Sequence, residues 1–176
     1  MGDKALWALL GGVGGGVSLA LLSLLTKLFN PQGNYSVAVL LSIFVFALTC
    51  AFVMGAVVLN IPGARSNLNW LLGGLLLSAA VAGALFPWGT FGFWLGFLSI
   101  GVIIPISLLG FSTHALQSCF GGIAGLVVGG VAATLWSMRY SLVEASLGSQ
   151  FISDFISYGL MTYGLTLGLL LFTKSV

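Results

Sequence analysis

The chain has 176 residues, of which 59% are hydrophobic and 5% are charged, and its mean hydropathy is +1.18. A soluble domain carries roughly 25% charged residues, so five Lys/Arg and three Asp/Glu are too few to build a surface that faces water. The net charge of +2 and the absence of any basic run argue against nucleic acid as a partner and against a polybasic lipid-binding patch. The composition predicts one domain, 1–176, whose main partner is the lipid bilayer.

Turn residues divide the chain into apolar segments, each close to the roughly 20 residues that a membrane-spanning helix needs. No Asp, Glu, Lys or Arg occurs from Ser66 to Met138. We predict an all-α integral membrane protein with about six transmembrane helices in a compact, glycine-rich bundle. The predicted helices are 5–29, 35–59, 69–86, 91–111, 113–138 or, with Gly148 as the helix-ending residue, 113–147, and finally 150–172.

Glycine pairs recur near the start of every odd-numbered helix. They are Gly11-Gly12, Gly73-Gly74 and Gly121-Gly122. This spacing suggests three helical hairpins, each with a glycine-rich first arm. The alternative is that apolar sequence of low complexity produces such echoes by chance.

The fifth predicted helix carries a ladder of small residues, in which Gly121, Gly125, Gly129 and Ala133 are four residues apart. Such spacing leaves a groove on one helix face, and in lipid a second backbone can approach that groove closely. Gly164 and Gly168 form a similar face on the sixth helix. We interpret all six positions as helix-packing residues, and we expect the fifth helix to be central in the bundle.

A polar stripe runs along the sixth predicted helix, where Asp154, Tyr158, Thr162 and Thr166 recur every four residues. Polar groups inside a bilayer tend to face a bundle interior, a cavity or a partner, so the stripe is a candidate path for a substrate or an ion. In the alternative, the hydroxyl groups bond to carbonyls one turn earlier on the same helix and the tyrosine packs in the core.

The charged residues near the start of this helix suggest a second feature. Asp154 lies about four residues into the helix, at the depth expected for Lys27, Arg139 and Glu144. These side chains predict an ion-pair network at the rim of the bundle.

Pro105 interrupts the fourth predicted helix and removes one backbone hydrogen bond, which leaves the carbonyl of Gly101 free. Freed carbonyls coordinate solutes in many transporters, so Pro105 and the nearby Ser107 join the candidate path. The alternative is a plain kink whose free carbonyl is satisfied by Ser107 or by a water molecule.

His114, in the turn between the fourth and fifth helices, is a candidate ligand for a pigment or heme that a complex would supply. The alternative is a solvated or helix-capping histidine, and the identity of any cofactor stays open. With one histidine, and with Cys50 and Cys119 in separate apolar runs, the sequence predicts no metal site and no disulfide. No sequence motif of a nucleophile, metalloprotease or phosphate-binding loop is present, so we predict that the chain is not an enzyme.

These observations favour a non-catalytic integral subunit or scaffold that packs with other membrane subunits in a larger complex. The alternative is a small-solute transporter, a channel, or the membrane substrate-binding subunit of an importer. Three Lys/Arg on the side of both termini against two on the other side favour cytoplasmic termini. The sequence does not specify which membrane holds the protein.

Overall fold

The architecture comes from a computed structural model, which describes residues 2–60, 68–140 and 147–172. Within these residues every regular element is helical and no strand occurs. The elements in chain order are α1 (Gly2–Phe29), α2 (Tyr35–Asn60), α3 (Leu68–Leu85), a 3-10 turn (Phe86–Trp88), α4 (Gly89–Leu109), α5 (Thr113–Tyr140) and α6 (Leu147–Phe172).

The membrane-span count differs from the sequence prediction of about six. By length and composition, five stretches of the described chain could cross a membrane, because residues 69–109 form one apolar stretch of 41 residues. A straight helix of that length would measure roughly 60 Å, about twice the thickness of a bilayer core. The chain instead reverses at the 3-10 turn, so that α3 and α4 lie side by side. The other four stretches are Asp3–Phe29, Tyr35–Asn60, Thr113–Met138 and Gly148–Phe172.

The longer alternative for the fifth predicted helix, 113–147, is wrong. Leu147 is the first residue of α6, which excludes a fifth helix that continues to 147. Gly148 therefore lies in the first turn of α6 and does not end a helix. At the α3–α4 junction, Gly89 has a φ of 74°, a left-handed conformation that suits a residue without Cβ. This residue lets the chain leave the 3-10 turn and start α4 earlier than predicted.

The turn between α1 and α2 is stabilised by two asparagines. The side chain of Asn30 donates to the carbonyl of Asn34 over 2.8 Å and accepts from the amide of Asn34 over 2.6 Å. Asn34 in turn accepts from the amide of Ser36 over 3.0 Å, which caps the first turn of α2. This local bonding explains why α1 and α2 form a tight hairpin.

Each helix packs against its neighbours in the chain, and α6 packs against α1, so the six helices close into a ring. Neighbouring helices run antiparallel, as shown by Gly83 of α3 against Ile43 of α2 and Gly129 of α5 against Leu160 of α6. The starts of α1, α3 and α5 therefore lie at one end of the bundle. The starts of α2, α4 and α6 lie at the other.

The centre of the ring is filled by apolar side chains of α2, α4 and α6. The rings of Phe46 and Phe97 stack edge to face with centroids 5.8 Å apart, which joins α2 to α4. A Cβ on Gly101 of α4 would lie 3.2 Å from a methyl group of Leu165 on α6. All these positions are buried. The described part of the centre is thus a packed core.

The sequence predicted that the fifth helix is central, but in the structure α6 is the helix that packs closely against two neighbours. One side of α6 meets glycines of α1, and the opposite side meets the small-residue ladder of α5. Glycine faces let helix backbones approach closely, and here the glycine faces of α1 and α5 pack on opposite sides of α6. The glycines of α1 that face α6 are Gly11, Gly12, Gly15 and Gly16.

Candidate functional site

The small-residue ladder of α5 lies directly on α6 of the same chain. A Cβ on Gly125 would strike the carbonyl oxygen of Gly164, and a Cβ on Gly164 would strike the carbonyl oxygen of Gly125. Gly121 and Gly168 form the same reciprocal contact one turn further along. Gly129 meets the backbone of α6 at Leu160, and Ala133, the last member of the ladder, is buried. This face is therefore occupied within the chain.

Two members of the polar stripe of α6, Thr162 and Thr166, face α1 and are fully buried. The hydroxyl of Thr162 donates to the carbonyl of Tyr158 over 2.8 Å and lies 3.3 Å from the carbonyl of Gly12. The hydroxyl of Thr166 donates to the carbonyl of Thr162 over 2.7 Å. A Cβ on Gly15 would lie 2.6 Å from a methyl group of Thr162. The two threonines fill the space that the α1 glycines leave, and their hydroxyls are satisfied by carbonyl groups.

A polar cluster lies at the end of the α1–α6 contact where α6 starts. The hydroxyl of Ser23 donates to a carboxylate oxygen of Asp154 over 2.8 Å, and the ammonium group of Lys27 donates to the amide oxygen of Gln150 over 2.7 Å. All four side chains line a cavity of about 20 Å³. A cavity of this size holds about one water molecule.

Where an ion-pair network was predicted, the described side chains form hydrogen bonds with neutral partners. Lys27 and Asp154 line the same small cavity, yet Lys27 donates to the neutral side chain of Gln150 and Asp154 accepts from the neutral side chain of Ser23. The side chain of Arg139 and all of Glu144 lie outside the described part of the chain. The cluster joins α1 to α6 through two hydrogen bonds that cross between the helices.

Tyr158, one turn after Asp154, faces α4 and borders an open crevice at the same end of the bundle. Its ring lies 5.7 Å from the ring of Phe93, measured between centroids. The crevice has a volume of about 480 Å³. Its lining consists of Phe86, Pro87, Gly89, Thr90, Phe93 and Tyr158.

Sequence reasoning missed this crevice. Its wall combines the 3-10 turn and the first turn of α4 with one residue of α6. The concentration of aromatic residues in Phe86-Pro87-Trp88 was visible in the sequence, but its proximity to Tyr158 depends on how the helices pack.

Pro105 and Ser107 lie apart from the other candidate path residues. Pro105 is buried within α4, and the hydroxyl of Ser107 donates to the carbonyl of Ile104 over 2.8 Å, so it does not serve the Gly101 carbonyl. Ser107 packs against Gly74 of α3 and borders an apolar groove of about 780 Å³ between α3 and α4. This groove is at the end of the bundle opposite Asp154, so the structure does not bring the six candidate path residues together.

His114 lies in the first turn of α5, near the end of the bundle where α1 begins. The start of α5 is capped by Ser112, whose hydroxyl accepts from the amide of Ala115 over 3.2 Å. The Nδ1 atom of His114 is enclosed and has no hydrogen-bond partner among the described residues. In that same part of the chain no three His, Cys, Asp or Glu side chains come together as metal ligands.

The chain matches no protein-family model, no curated protein and no solved structure.

Proposed function

We propose that the chain is a multi-pass integral membrane protein that acts as a non-catalytic subunit of a larger membrane assembly. The observation that carries this proposal is the packed apolar centre of the ring, formed by residues such as Phe46, Phe97 and Leu165. A bundle that conducts a polar solute needs polar groups facing a wet interior. Here Thr162 and Thr166, the deepest polar residues of α6, are used in packing against α1.

The outer surface of the bundle supports the membrane location. Large apolar side chains stand outward on several helices, such as Phe44 of α2, Leu76 of α3 and Phe120 of α5. Phe120 alone leaves 72% of its surface exposed. Large apolar side chains that are exposed to this extent are expected to be covered by lipid or by another protein. A subunit in a membrane assembly meets both.

The non-catalytic part of the proposal follows from the placement of the reactive groups. His114 and Asp154 lie at opposite ends of the bundle, since α5 starts where α6 ends. A general base must reach its partner within hydrogen-bond distance, so these two residues cannot act together. Cys50 and Cys119 are buried and free.

Transport of a small solute or ion is a second candidate function, and the polar cluster at Ser23, Lys27, Gln150 and Asp154 favours it. The cluster gives α1 and α6 a polar entrance with room for one water molecule. Beyond this entrance the threonines close the α1–α6 contact. Passage would require the two helices to separate, which would expose hydroxyl groups and glycine carbonyls that are now paired or in close contact.

The two functions are separated by purification and reconstitution of the full chain. We expect the protein, tagged at its native level of expression, to co-purify with the same membrane proteins at one fixed stoichiometry in two mild detergents. We also expect the isolated chain to give no solute or proton flux in phospholipid vesicles. Quantitative mass spectrometry and a vesicle flux assay measure the two properties.

A matched variant tests the transport candidate directly. Flux by the isolated chain that is lost in Asp154→Asn combined with Thr162→Val, with helical content unchanged, would contradict the subunit proposal and support transport. A single chain without stoichiometric partners would contradict the subunit proposal even if no flux is found.

A further inference from the structure

The crevice at the start of α4 combines aromatic rings from two separate parts of the chain. Phe86 and Phe93 stand with their ring centroids 5.8 Å apart, and Phe93 and Tyr158 with theirs 5.7 Å apart. All three side chains are partly exposed in the crevice. A positive charge over the face of an aromatic ring, within about 6 Å of its centroid, is attracted by the ring quadrupole, so a ring that turns its face to the crevice is a suitable wall for a cation.

The nearest described acidic residue along α6 adds a matching charge. Asp154 precedes Tyr158 by one helical turn, roughly 6 Å along the axis, and the two residues share one side of the helix. Asp154 accepts a hydrogen bond from Ser23 of α1, and Lys27, which lines the same small cavity, donates to Gln150. Among the described residues, the crevice lining contains no charged side chain. An organic cation would therefore meet aromatic rings in the crevice and a carboxylate one turn away.

The size of the crevice suits such a group. Its volume of about 480 Å³ falls within the range of roughly 300–1,000 Å³ that is usual for small-molecule sites. At the same end, the indole of Trp88 donates to the hydroxyl of Tyr35 over 3.0 Å, and both side chains are exposed. Tryptophan and tyrosine with this exposure are typical of the membrane–water interface, where headgroups and soluble ligands are both accessible.

We propose that this crevice is a binding site for a quaternary ammonium group, held by cation–π contacts with Phe86, Phe93 and Tyr158 and by attraction to Asp154. The same chemistry occurs in a free quaternary amine and in the choline headgroup of a lipid. The hydroxyl of Thr90 at the rim can bond to a polar group that the ammonium carries. This site goes beyond the proposed subunit function and does not depend on it.

Calorimetric titration of the full chain in maltoside micelles tests the charge requirement. The probes are choline and 3,3-dimethyl-1-butanol, which replaces the nitrogen of choline by carbon and so has the same shape without the charge. We expect choline to bind at least tenfold more tightly than the alcohol. Equal binding of the two compounds, or no binding of choline, would overturn the proposal.

Variants of the crevice test the location. Tyr158→Leu and Phe93→Leu each remove a ring, and we expect each to weaken choline binding roughly 5- to 30-fold. Tyr158→Phe keeps the ring and is expected to bind as the unmodified chain does. Asp154→Asn is expected to weaken binding at least threefold.

The control is Trp70→Leu, which removes an exposed aromatic ring in the groove at the opposite end of the bundle. Circular dichroism checks that each variant is folded. If the leucine variants lose their helical content, Asp154→Asn decides the question, and an unchanged affinity in that variant would overturn the proposal.

Two lipid compositions identify the source of the ligand. In nanodiscs of phosphatidylglycerol the crevice is free of choline lipid, and in nanodiscs of phosphatidylcholine the headgroup competes. Weaker binding of free choline in the second case assigns the site to a lipid headgroup. Equal binding in both assigns it to a soluble quaternary amine. Absence of binding in phosphatidylglycerol nanodiscs would contradict the proposal.

Discussion

At Gly125 the absence of a side chain is a structural requirement, because the carbonyl oxygen of Gly164 occupies the place that a Cβ would take. At Gly55, in the second half of α2, the same residue type has no atom within 4 Å of a Cβ. The residue type alone therefore does not show which glycines are required for packing. The distance to the neighbouring backbone does.

Replacement of these two glycines gives a matched comparison. Gly125→Leu is expected to lower the free energy of unfolding by about 2 kcal/mol or more, since overpacking typically costs 1–3 kcal/mol and here the obstacle is backbone. Gly55→Leu is expected to change it by less than about 1 kcal/mol, with a gain from higher helix propensity. Unfolding of the two variants in mixed detergent micelles measures the difference. Equal stability of both would show that α5 and α6 are further apart than described.

At the scale of helices, α6 makes two contacts of different chemistry. Its contact with α5 is glycine against glycine, at Gly125 and Gly164, and it depends on close approach of the two backbones. Its contact with α1 is threonine against glycine, with hydrogen bonds between side chains at one end. At the other end, the ammonium group of Lys4 donates to the carbonyl of Leu170 over 2.7 Å. Hydrogen bonds at both ends of the α1–α6 contact fix the register of the two helices.

That register predicts a specific crosslink. In a chain with Cys50→Ala and Cys119→Ala, the pair Ser23→Cys and Asp154→Cys is expected to form a disulfide under mild oxidation. The oxygens of the original side chains are 2.8 Å apart, and a disulfide needs Cβ atoms roughly 3.5–4.5 Å apart. Gel mobility with and without reductant measures the crosslink. Ser23→Cys with Gln117→Cys places the thiols at opposite ends and is the control, and similar crosslinking in both pairs would contradict the α1–α6 register.

For the whole molecule, closure of the ring depends on an even number of antiparallel helices. The start of α1 meets the end of α6 through Lys4 and Leu170, so α1 begins and α6 ends at the same end of the bundle. The 41-residue apolar stretch decides this arrangement because it folds back into α3 and α4. If the proposed membrane location is right, that stretch crosses twice.

Labelling from the two sides of a membrane tests this arrangement. Asp3→Cys and Phe172→Cys are expected to react with an impermeant maleimide from one side, and Thr90→Cys and Gln150→Cys from the other. Permeabilised vesicles, in which all four variants should react, are the control. Reaction of Asp3→Cys and Phe172→Cys from opposite sides would indicate five crossings and would contradict the reversal at the 3-10 turn.

The helices themselves could be read largely from the sequence. Asn30, Gly33 and Asn34 form the turn at which they were expected, because their side chains or φ angles suit a chain reversal. The candidate site could be predicted from the sequence only in part. Spacing showed that Thr162 and Thr166 share a face of α6, but it could not show that glycines of α1 fill that face. The aromatic crevice was missed because Tyr158 lies far in the sequence from the other lining residues, which all fall between Phe86 and Phe93.

The sequence by itself determined that the chain is helical and apolar, since too few charges are present for a water-facing surface and turn residues separate segments of spanning length. It also determined which residues share a helix face, because the helical period is a local property. Only the tertiary structure decided what each face meets. It closed the ring between α1 and α6, buried the polar stripe against glycine, and brought Phe86, Phe93 and Tyr158 together. These outcomes depend on the fit between distant surfaces, which local periodicity does not encode.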